Sequence, residues 1–323
     1  MVVVCPEGSE LDRRLSSEGF ETRHATFPAP VPGPAQLRAA WALRRVLREA
    51  PPGATIVGNT ARAQAFAALA LAGRRRRPAF VHLMHERDSA ERRSARFVHS
   101  RFGALAVVGS TAARAYAERL PGTPVRSLNN FLDPADLESM LARRAPTPGG
   151  EAPVAGFLGR LIPEKGAVEL VEELAAVRGS WSRLLIGGAR QDEKYARLVE
   201  ARAVELGVGG QVHLPGHVDD VPEFLAGIDV LVVPSTGNEA QPTVILEALA
   251  LGRPVLVREP VWSPDFEGLP VVPYRDAAGL GERLAALPPA DADPELLRRR
   301  FGPAQAIAAI DAAAAAAAQP GGF

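Results

Sequence analysis

The sequence predicts an α/β fold made of two doubly wound parallel sheets. Short apolar, β-branched runs alternate with stretches of helical periodicity along nearly the whole chain, a pattern typical of parallel strands joined by helical crossovers. Proline and glycine then cluster in APTPGGEAP at residues 145–153, and the alternation starts again after them. Because 323 residues are enough for two domains of ordinary size, we place the domain boundary between about Leu132 and Pro153.

The first half of the chain is predicted to form one small sheet with helices between its strands. Apolar residues at helical spacing predict helices at 10–18, 35–49 and 61–72, and the proline-rich stretch 27–34 predicts a loop. Short apolar runs bounded by turn residues predict six strands, at 2–5, 21–26, 55–57, 79–84, 104–109 and 125–128.

The second half predicts another sheet of six strands, at 154–158, 183–186, 212–214, 231–233, 255–257 and 271–272. Residues 295–318 are helical by propensity, although the alanine run within them is weakly specifying. The predicted organisation is a first domain over 1–135, a linker over 136–153, a second domain over 154–296, and a C-terminal helix with a frayed tail over 297–323.

The composition argues against several classes of function. Lysine plus arginine and aspartate plus glutamate both number 37, so nothing in the net charge favours a nucleic-acid partner. Cys5 is the single cysteine, which excludes an internal disulfide and a cysteine-based metal cluster and fits a reducing compartment. No apolar run approaches the roughly 20 residues that span a bilayer, and residues 2–5 are too short for the apolar core of a signal peptide.

Residues 230–258 are predicted to form one β-α-β crossover. A β-branched strand ends at Pro234, a polar loop follows, and Pro242 occupies the first position of an apolar helix. Two carboxylates, Glu239 and Glu247, are separated by seven residues within this stretch. Because the proline ring disfavours a helix running through it, Glu239 belongs to the loop and Glu247 to the opening turns of the helix.

The start of this helix is predicted to bind an anion. The N–H groups of Thr243 and Val244 have no acceptor within the helix and lie at the positive end of its dipole, the usual place for a phosphate. Glu247 is surrounded in sequence by aliphatic residues. Since burying an unpaired charge is costly, we expect a polar group to meet it.

The two glutamates, the alanine-rich helix and the Gly-x-Pro-Val strand that follows resemble the donor-site motif of the retaining nucleotide-sugar glycosyltransferases of group 1. Residues 156–174, GFLGRLIPEKGAVELVEEL, are similar to the Gly-Arg-Leu-x-x-x-Lys-Gly element of the same family. The two elements occur in order and are separated by two strand-helix units. The resemblance implies the GT-B architecture: two Rossmann-like domains face each other across a cleft, and a last helix, 297–310, returns to the first domain.

The resemblance also implies roles for four residues of the second domain. Arg160 and Lys165 would meet the negative charge of the departing diphosphate; a solvated loop is the alternative. Glu247 would accept hydrogen bonds from the ribose hydroxyls, with a buried structural ion pair as the alternative. Glu239 would lie by the transferred sugar, with a solvated loop carboxylate as the alternative.

In the first domain, the resemblance implies a catalytic histidine after a strand. The stretch PAFVHLMHE offers His82 and His85, of which His85 fits the family position better. His82 is expected to face inward from its strand, and a structural role is the alternative for each of them. The segment NNFLD at 129–133 resembles the family's hinge element, but Asn130 stands where the family has glycine, which puts the turn in question.

Two further features lie outside the family pattern. Residues 2–27 resemble the family's second strand-helix unit and lack its opening glycine-rich loop, so we expect the first β-α unit to be missing. A basic tract, Arg74 to Arg77, is followed by more arginines up to Arg101. This tract is either a solvated face or a surface that attracts an anionic acceptor or an anionic membrane.

These observations predict a glycosyltransferase that moves a sugar from a UDP- or GDP-linked donor to an unknown acceptor with retention of configuration. No protein nucleophile is evident and no Asp-x-Asp motif follows a strand where a metal would be needed, so we expect neither metal nor cofactor. The alternatives are a nucleotide-sugar-binding partner subunit without transferase activity, or a nucleotide-sugar hydrolase or epimerase of the same fold. We expect a cytoplasmic protein, either free or peripheral to the inner face of the membrane.

Overall fold

The structure is a computed structural model that describes residues 2–26, 34–51, 53–59, 61–71, 79–85, 103–147, 150–236 and 239–318. The chain divides into two compact units. The first unit comprises Met1–Val107, Ala112–Ser127 and Ala309–Phe323, and the second comprises Val108–Thr111 and Leu128–Ala308.

The elements of the first 128 residues alternate between strand and helix except between residues 84 and 104, where residues 86–102 lie outside the described part of the chain. In chain order they are β1 (Val2–Cys5), α1 (Glu10–Ser17), β2 (Glu21–His24), α2 (Pro34–Arg48), β3 (Thr55–Gly58), α3 (Ala61–Leu71), β4 (Ala79–Met84), β5 (Ala104–Val108), α4 (Ser110–Arg119) and β6 (Val125–Leu128). Strands β1 and β2 pair in parallel as a two-stranded sheet. The other four form a sheet in the order β3-β4-β5-β6, in which β4 pairs in parallel with both β3 and β5.

Helices α2 and α3 share a small apolar core in the first unit. Helix α2 contributes Leu43 and Leu47, which are one turn apart and therefore lie on one face, and α3 contributes Phe66 and Leu71. All four side chains are buried. This packing fixes which side of α2 remains exposed.

The second unit is a larger α/β layer structure. Its elements are α5 (Pro134–Ala142), β7 (Val154–Leu158), α6 (Ala167–Ala176), β8 (Arg183–Gly187), α7 (Glu193–Glu205), β9 (Val212–Gly216), α8 (Val221–Ala226), β10 (Val230–Val233), α9 (Thr243–Ala250), β11 (Val255–Arg258), β12 (Val271–Tyr274), α10 (Ala277–Ala285), α11 (Pro294–Phe301) and α12 (Pro303–Ala318), the last of which continues into the residues grouped with the first unit. The six strands form one parallel sheet in the order β12-β11-β10-β7-β8-β9.

This sheet is covered on both faces, as strand β10 shows. Leu231 and Val233 belong to the apolar cluster that contains α9, whereas Val230 and Val232 belong to the cluster that contains α6 and α7. Successive side chains of a strand point to opposite faces, so an uninterrupted apolar run is what a doubly covered strand needs.

The strand order places a topological switch point between β7 and β10. From β7 the chain winds outward through β8 to β9, and from β10 it winds outward in the other direction through β11 to β12. The two neighbouring strands pair in parallel, with Val230 opposite Ala155 and Leu231 opposite Gly156. In open parallel sheets, ligands bind beyond the carboxyl ends of the strands at such a point.

The predicted strands and most predicted helices of the described residues are confirmed, with bounds that differ by a few residues. The predicted helix over 295–318 is wrong as one element, because Gly302 separates α11 from α12. Pro242 is the N-cap of α9, and Thr243 is its first residue. In the loop after β7, Pro163–Lys165 forms one 3-10 turn with proline at its start.

Within the described residues, one stretch, Pro294–Ala318, has the length and apolar character that crossing a membrane would need. That criterion does not separate membrane segments from the core helices of other proteins. Leu297 and Phe301 of this stretch pack into the apolar cluster of the second unit with 1% and 2% of their surface exposed. We therefore treat its first half as a core helix.

Candidate functional site

The loop after β7 carries the first two predicted ligand-binding residues. Arg160 lies two residues past the end of β7 and is exposed, and no ion pair or hydrogen bond of its guanidinium is present among the described residues. Lys165 ends the 3-10 turn that begins at Pro163, and it is partly buried. Proline and the short turn hold both cations beyond the carboxyl end of β7.

Gly166 holds the β7 loop tightly against the loop that follows β10. Its φ of 75° lies in the left-handed region, and a Cβ atom placed on it would come within 2.4 Å of the Pro234 carbonyl oxygen. Nearby, the Thr236 N–H donates to the Glu164 carbonyl oxygen at 3.1 Å. Glycine is required here for both conformation and space, which gives a physical reason for the Lys-Gly pair in the sequence motif.

Replacing Gly166 by alanine is expected to separate these two loops. The left-handed conformation alone costs about 1–2 kcal/mol for a residue with a Cβ atom, and the contact with the Pro234 oxygen adds to this cost. We expect a loss of about 3 kcal/mol or more in the free energy of unfolding, measured by thermal or urea denaturation.

Gly179→Ala is the matched control for this substitution. Gly179 also has a positive φ, 92°, but an added Cβ would meet nothing within 4 Å. It should cost only about 1 kcal/mol. Equal losses for the two variants would show that the close approach of Gly166 to Pro234 has no energetic weight.

Glu239 joins the two loops through its carboxylate. Lys165 Nζ forms an ion pair with Glu239 Oε1, and Ser235 Oγ donates to Glu239 Oε2 at 2.5 Å. The Lys165 and Glu239 side chains are 23% and 19% exposed, so the pair is shielded from water but still reachable. The structure therefore brings together two of the predicted residues, which lie 74 positions apart in the chain.

The first turn of α9 offers free backbone donors. Among the described residues, nothing accepts a hydrogen bond from the N–H of Thr243 or Val244, and Thr243 is exposed. The helix follows β10, at the same sheet edge that carries the β7 loop. Unpaired N–H groups at a helix start are a site for a phosphate or another anion.

Glu247 lies in the second turn of α9, and its carboxylate meets no donor from the residues that the structure describes. No hydrogen bond or ion pair of its side chain is present in the part of the chain that the structure describes, so no described residue supplies the structural ion pair that was the alternative. Burial raises the pKa of Glu247, and the negative charge of Asp136 raises the pKa further. A half-buried carboxylate with a raised pKa and no partner is typical of a ligand-binding group.

A hydrogen-bond network that the sequence analysis missed holds the segment just before Pro242. Gln241 is 3% exposed, and its Oε1 accepts from the Asn130 N–H at 2.5 Å. Asn130 Nδ2 donates to the Gln241 carbonyl oxygen at 2.5 Å, and Gln241 Nε2 donates to Asn129 Oδ1 at 3.1 Å. On its other side, Asn129 exchanges two backbone hydrogen bonds with the Gln305 side chain, at 3.0 and 2.9 Å.

This network explains why asparagine can replace the expected glycine at position 130. None of the described residues other than glycine has a positive φ, so the turn at Asn130 does not need glycine. The amide side chain instead supplies a donor that glycine lacks. The signal available in the sequence was the pair of adjacent amides, but their partner is 111 residues away.

Gln241→Leu should weaken this region measurably. The change leaves the Asn130 N–H and Asn129 Oδ1 without their partner, at about 1–3 kcal/mol for each unsatisfied group. We expect the free energy of unfolding to fall by about 2–4 kcal/mol. Because Gln241 directly precedes the N-terminus of α9, we also expect weaker binding of the anionic ligand predicted there. Gln211→Leu is the control, since Gln211 is exposed and its side chain donates one hydrogen bond, to the Ser182 carbonyl oxygen. A comparable loss of unfolding free energy in that variant would contradict a special role for Gln241.

The two candidate histidines occupy different positions in the first unit. His82 lies within β4 and is fully buried, with its ring 4.2 Å from that of Phe80 between centroids. His85 lies just beyond the end of β4 and is exposed; its Nε2 is 2.8 Å from Asn59 Oδ1, beyond the end of β3. The inward orientation predicted for His82 is confirmed, and a catalytic role for His85 stays a prediction.

Several expectations fall on residues that the structure does not describe. The basic tract Arg74 to Arg77, Arg101 and the neighbouring arginines lie outside the described residues. In the remainder, no group of three or more histidine, cysteine, aspartate or glutamate side chains is arranged to hold a metal ion. The predicted ligand-binding residues that the structure describes near the switch point are Arg160, Lys165, Glu239 and Glu247.

The fold and this site define a class of protein. At the switch point of a parallel sheet lie cations, free helix N–H groups and a carboxylate that no described residue pairs with, which is the arrangement of an α/β protein that binds a phosphorylated ligand. Comparison with known proteins gives the family. Residues 152–287 match the model of the family "Glycosyl transferases group 1", and residues 1–129 match that of the "Glycosyl transferase 4-like domain".

Two curated relatives and one solved structure illustrate the likeness. The chain is 32% identical to the lipopolysaccharide core biosynthesis glycosyltransferase LpsE of Rhizobium meliloti over 164 residues, 50% of this chain and 46% of that protein. It is 33% identical to the 2-deoxystreptamine glucosyltransferase of Streptomyces kanamyceticus over 127 residues, 38% of this chain and 31% of that protein. The crystal structure of Anabaena HepE in complex with UDP matches with a TM-score of 0.71 at 18% identity, covering 98% of this chain and 91% of that one.

These findings place the chain in a family. The protein belongs to the group 1 glycosyltransferases with the GT-B fold, which combines two Rossmann-like domains. The aligned regions span less than half the length of the curated relatives.

Proposed function

We propose that the protein is a glycosyltransferase that moves a sugar from a nucleoside-diphosphate donor to an acceptor hydroxyl. One observation carries the proposal: Lys165 and Glu239 are paired at the sheet edge where α9 presents free N–H groups and a carboxylate that has no partner among the described residues. Each of these groups matches a part of a sugar nucleotide. Family membership supports the same conclusion.

The roles follow from charge and hydrogen-bonding capacity. Arg160, Lys165 and the Thr243 and Val244 N–H groups bind the diphosphate, because its negative charge grows as the sugar leaves. Glu247 accepts hydrogen bonds from the ribose hydroxyls. Its burial makes such bonds stronger than they would be in water.

Glu239 is proposed to lie beside the transferred sugar. Its carboxylate is held on one side by Lys165 and on the other by Ser235, so its position is fixed before the donor binds. Binding of the diphosphate near Lys165 would couple the charge of the donor to the position of Glu239. His85 is proposed as a catalytic group that acts on the acceptor side, from the strand end where Asn59 holds its ring.

We propose transfer with retention of configuration and without a metal. The bond between the anomeric carbon and the diphosphate oxygen breaks, and the acceptor oxygen bonds to the same face of that carbon. The acceptor's proton passes to the departing phosphate oxygen. Fixed cations at the diphosphate do the work that a metal ion would otherwise do.

A uridine diphosphate sugar is the first donor to test, with guanosine diphosphate sugars as the second. HepE, which shares the fold, was crystallised with UDP, UDP-glucose, and UDP with glucose. The names of the curated relatives include transferases of lipopolysaccharide core and teichuronic acid synthesis. The acceptor class is therefore open between polysaccharide and smaller hydroxyl compounds.

The experiment combines binding with product analysis. A thermal-shift panel of UDP, GDP, ADP and TDP sugars identifies the donor, since a ligand that binds only the folded chain raises its melting temperature. Proton NMR of the first product formed then gives the anomeric configuration, with and without EDTA. Inversion, or dependence on a divalent metal, would contradict the proposed mechanism.

Two other outcomes correspond to the alternatives. Free sugar or isomerised donor formed without acceptor would identify a hydrolase or an epimerase. Donor binding without turnover across a broad acceptor panel would identify a binding subunit. Cytoplasmic location remains part of the proposal, and cell fractionation tests it.

A further inference from the structure

The outer face of helix α2 carries a stripe of large apolar and basic side chains. Leu37 and Trp41 are 75% and 66% exposed. Arg45 and Arg48 continue the same stripe at the next turns of the helix, since residues three or four apart share a face. The stripe lies opposite Leu43 and Leu47, which pack into the core, so it is presented outward by a helix that is already anchored.

This exposure is unusual for a tryptophan. The other two tryptophans are better covered: Trp181 is 2% exposed and Trp262 is partly buried. An indole and a leucine side chain one turn apart and open to water forgo the free energy that burial would provide. A partner that covers both of them would recover it.

The charge of the helix indicates what kind of partner this is. Helix α2 contains four arginines and no acidic residue, and Trp41, Arg44, Arg45 and Arg48 line a depression of about 200 Å³. A phosphate group is complementary to such a lining, because guanidinium groups bind it through paired N–H donors. The apolar half of the stripe needs a partner that is also apolar just beneath its charged surface.

An anionic membrane has this combination of properties. Tryptophan prefers the headgroup level of a bilayer, leucine reaches the acyl boundary, and arginine binds lipid phosphates. A soluble polyanion would account for the arginines but not for Leu37 and Trp41. We propose that the outer face of α2 is a docking surface for an anionic lipid membrane, with Trp41 and Leu37 at the headgroup boundary and Arg45 and Arg48 on lipid phosphates.

This inference does not depend on the transferase activity. The α2 surface is separate from the basic tract Arg74 to Arg77, and the exposure of its side chains is known. It can therefore be tested without donor or acceptor.

The test uses the full chain and two kinds of vesicle, phosphatidylcholine alone and phosphatidylcholine with phosphatidylglycerol. Vesicles containing the anionic lipid should sediment the protein and shift the tryptophan emission to shorter wavelength, and high salt should weaken both effects. Trp41→Phe should abolish the emission shift, because Trp181 and Trp262 are not on this face. Leu37→Gln should weaken binding as well.

A double arginine variant of α2 and a matched control test whether membrane binding depends on this face of the helix. Arg45→Gln combined with Arg48→Gln should weaken binding to anionic vesicles roughly 25-fold, at about fivefold for each arginine. Arg114→Gln combined with Arg126→Gln removes the same charge from exposed positions elsewhere and should change binding less than about twofold. Circular dichroism checks that both variants fold.

Three results would overturn the proposal. The first is equal loss of binding in the two charge variants, which would mean a general electrostatic effect. The second is binding to a soluble polyanion that is as tight as binding to vesicles and insensitive to Trp41→Phe. The third is an emission shift that grows with protein concentration in the absence of lipid, which would identify a second copy of the chain as the partner.

Discussion

Replacing Lys165 by methionine is expected to lower the turnover number by about 10²-fold to 10³-fold, the usual cost of removing one donor that stabilises charge in a transition state. Methionine keeps the length of the side chain and removes the charge. The effect should fall mainly on turnover rather than on the Michaelis constant for the donor, because the negative charge on the diphosphate grows as the glycosidic bond breaks. Steady-state kinetics with the donor found by thermal shift measures both quantities.

The control for this variant is Lys194→Met. Lys194 is exposed on α7, and its backbone N–H rather than its ammonium group takes part in the cap by Asp192. This change should alter turnover by less than about twofold. If Lys165→Met kept full activity, the assignment of Lys165 to the diphosphate would be wrong.

Lys165 also holds Glu239, so a second variant separates the two effects. Glu239→Gln keeps the size of the side chain and its bond from Ser235 but breaks the ion pair. If Lys165 acts only by positioning Glu239, the double variant should be no worse than either single one. If Lys165 also stabilises the leaving group, the double variant should lose more activity than Glu239→Gln alone.

Glu247→Gln is expected to make the unliganded protein more stable and the donor bind less tightly. No described residue pairs with the half-buried carboxylate, and burial raises its pKa, so neutralising it relieves a cost on the order of 1 kcal/mol. That corresponds to a rise of about 2–4 °C in melting temperature for a domain of this size. The donor should bind about 10-fold to 100-fold more weakly, because hydrogen bonds to a charged acceptor contribute about 1.5–3 kcal/mol.

Lowering the pH is expected to stabilise the unliganded protein and to weaken its binding of the sugar-nucleotide donor. Because the pKa of Glu247 is higher in the folded chain than in the unfolded one, the destabilisation is fully present above the folded pKa and is relieved as pH falls through it. Donor binding needs the ionised form, so affinity should fall over the same pH range, above the usual range of a glutamate. Both dependences should disappear in Glu247→Gln.

Glu282→Gln is the control for this prediction. Glu282 is exposed on α10, and no ion pair of its side chain is present among the described residues. Neither the melting temperature nor donor affinity should change. A Glu247→Gln protein that is less stable than the wild type would show that the carboxylate has a structural partner after all.

The assignment of Glu239 to a loop and Glu247 to a helix shows how far the sequence can be taken. Pro242 settles that assignment locally, because its ring restricts both its own backbone and that of Gln241. The positions of buried strands could also be predicted from the sequence, since a strand such as β10 that is covered on both faces must be apolar throughout. The break at Gly302 was missed although the sequence carries a local signal for it: Pro303 has no backbone N–H to continue the helix, and its ring restricts the residue before it.

The sequence by itself determined the alternation of strands and helices and the identity of the charged residues at the strand ends. Tertiary structure alone decided that β7 lies beside β10, that Lys165 pairs with Glu239 and that Gln241 binds Asn130. It also decided that Glu247 is half-buried on α9, away from any charged partner among the described residues. The physical reason is one of range. Periodicity and turn chemistry act over a few neighbouring residues, whereas strand order and side-chain pairing depend on how distant segments pack, which no local pattern encodes.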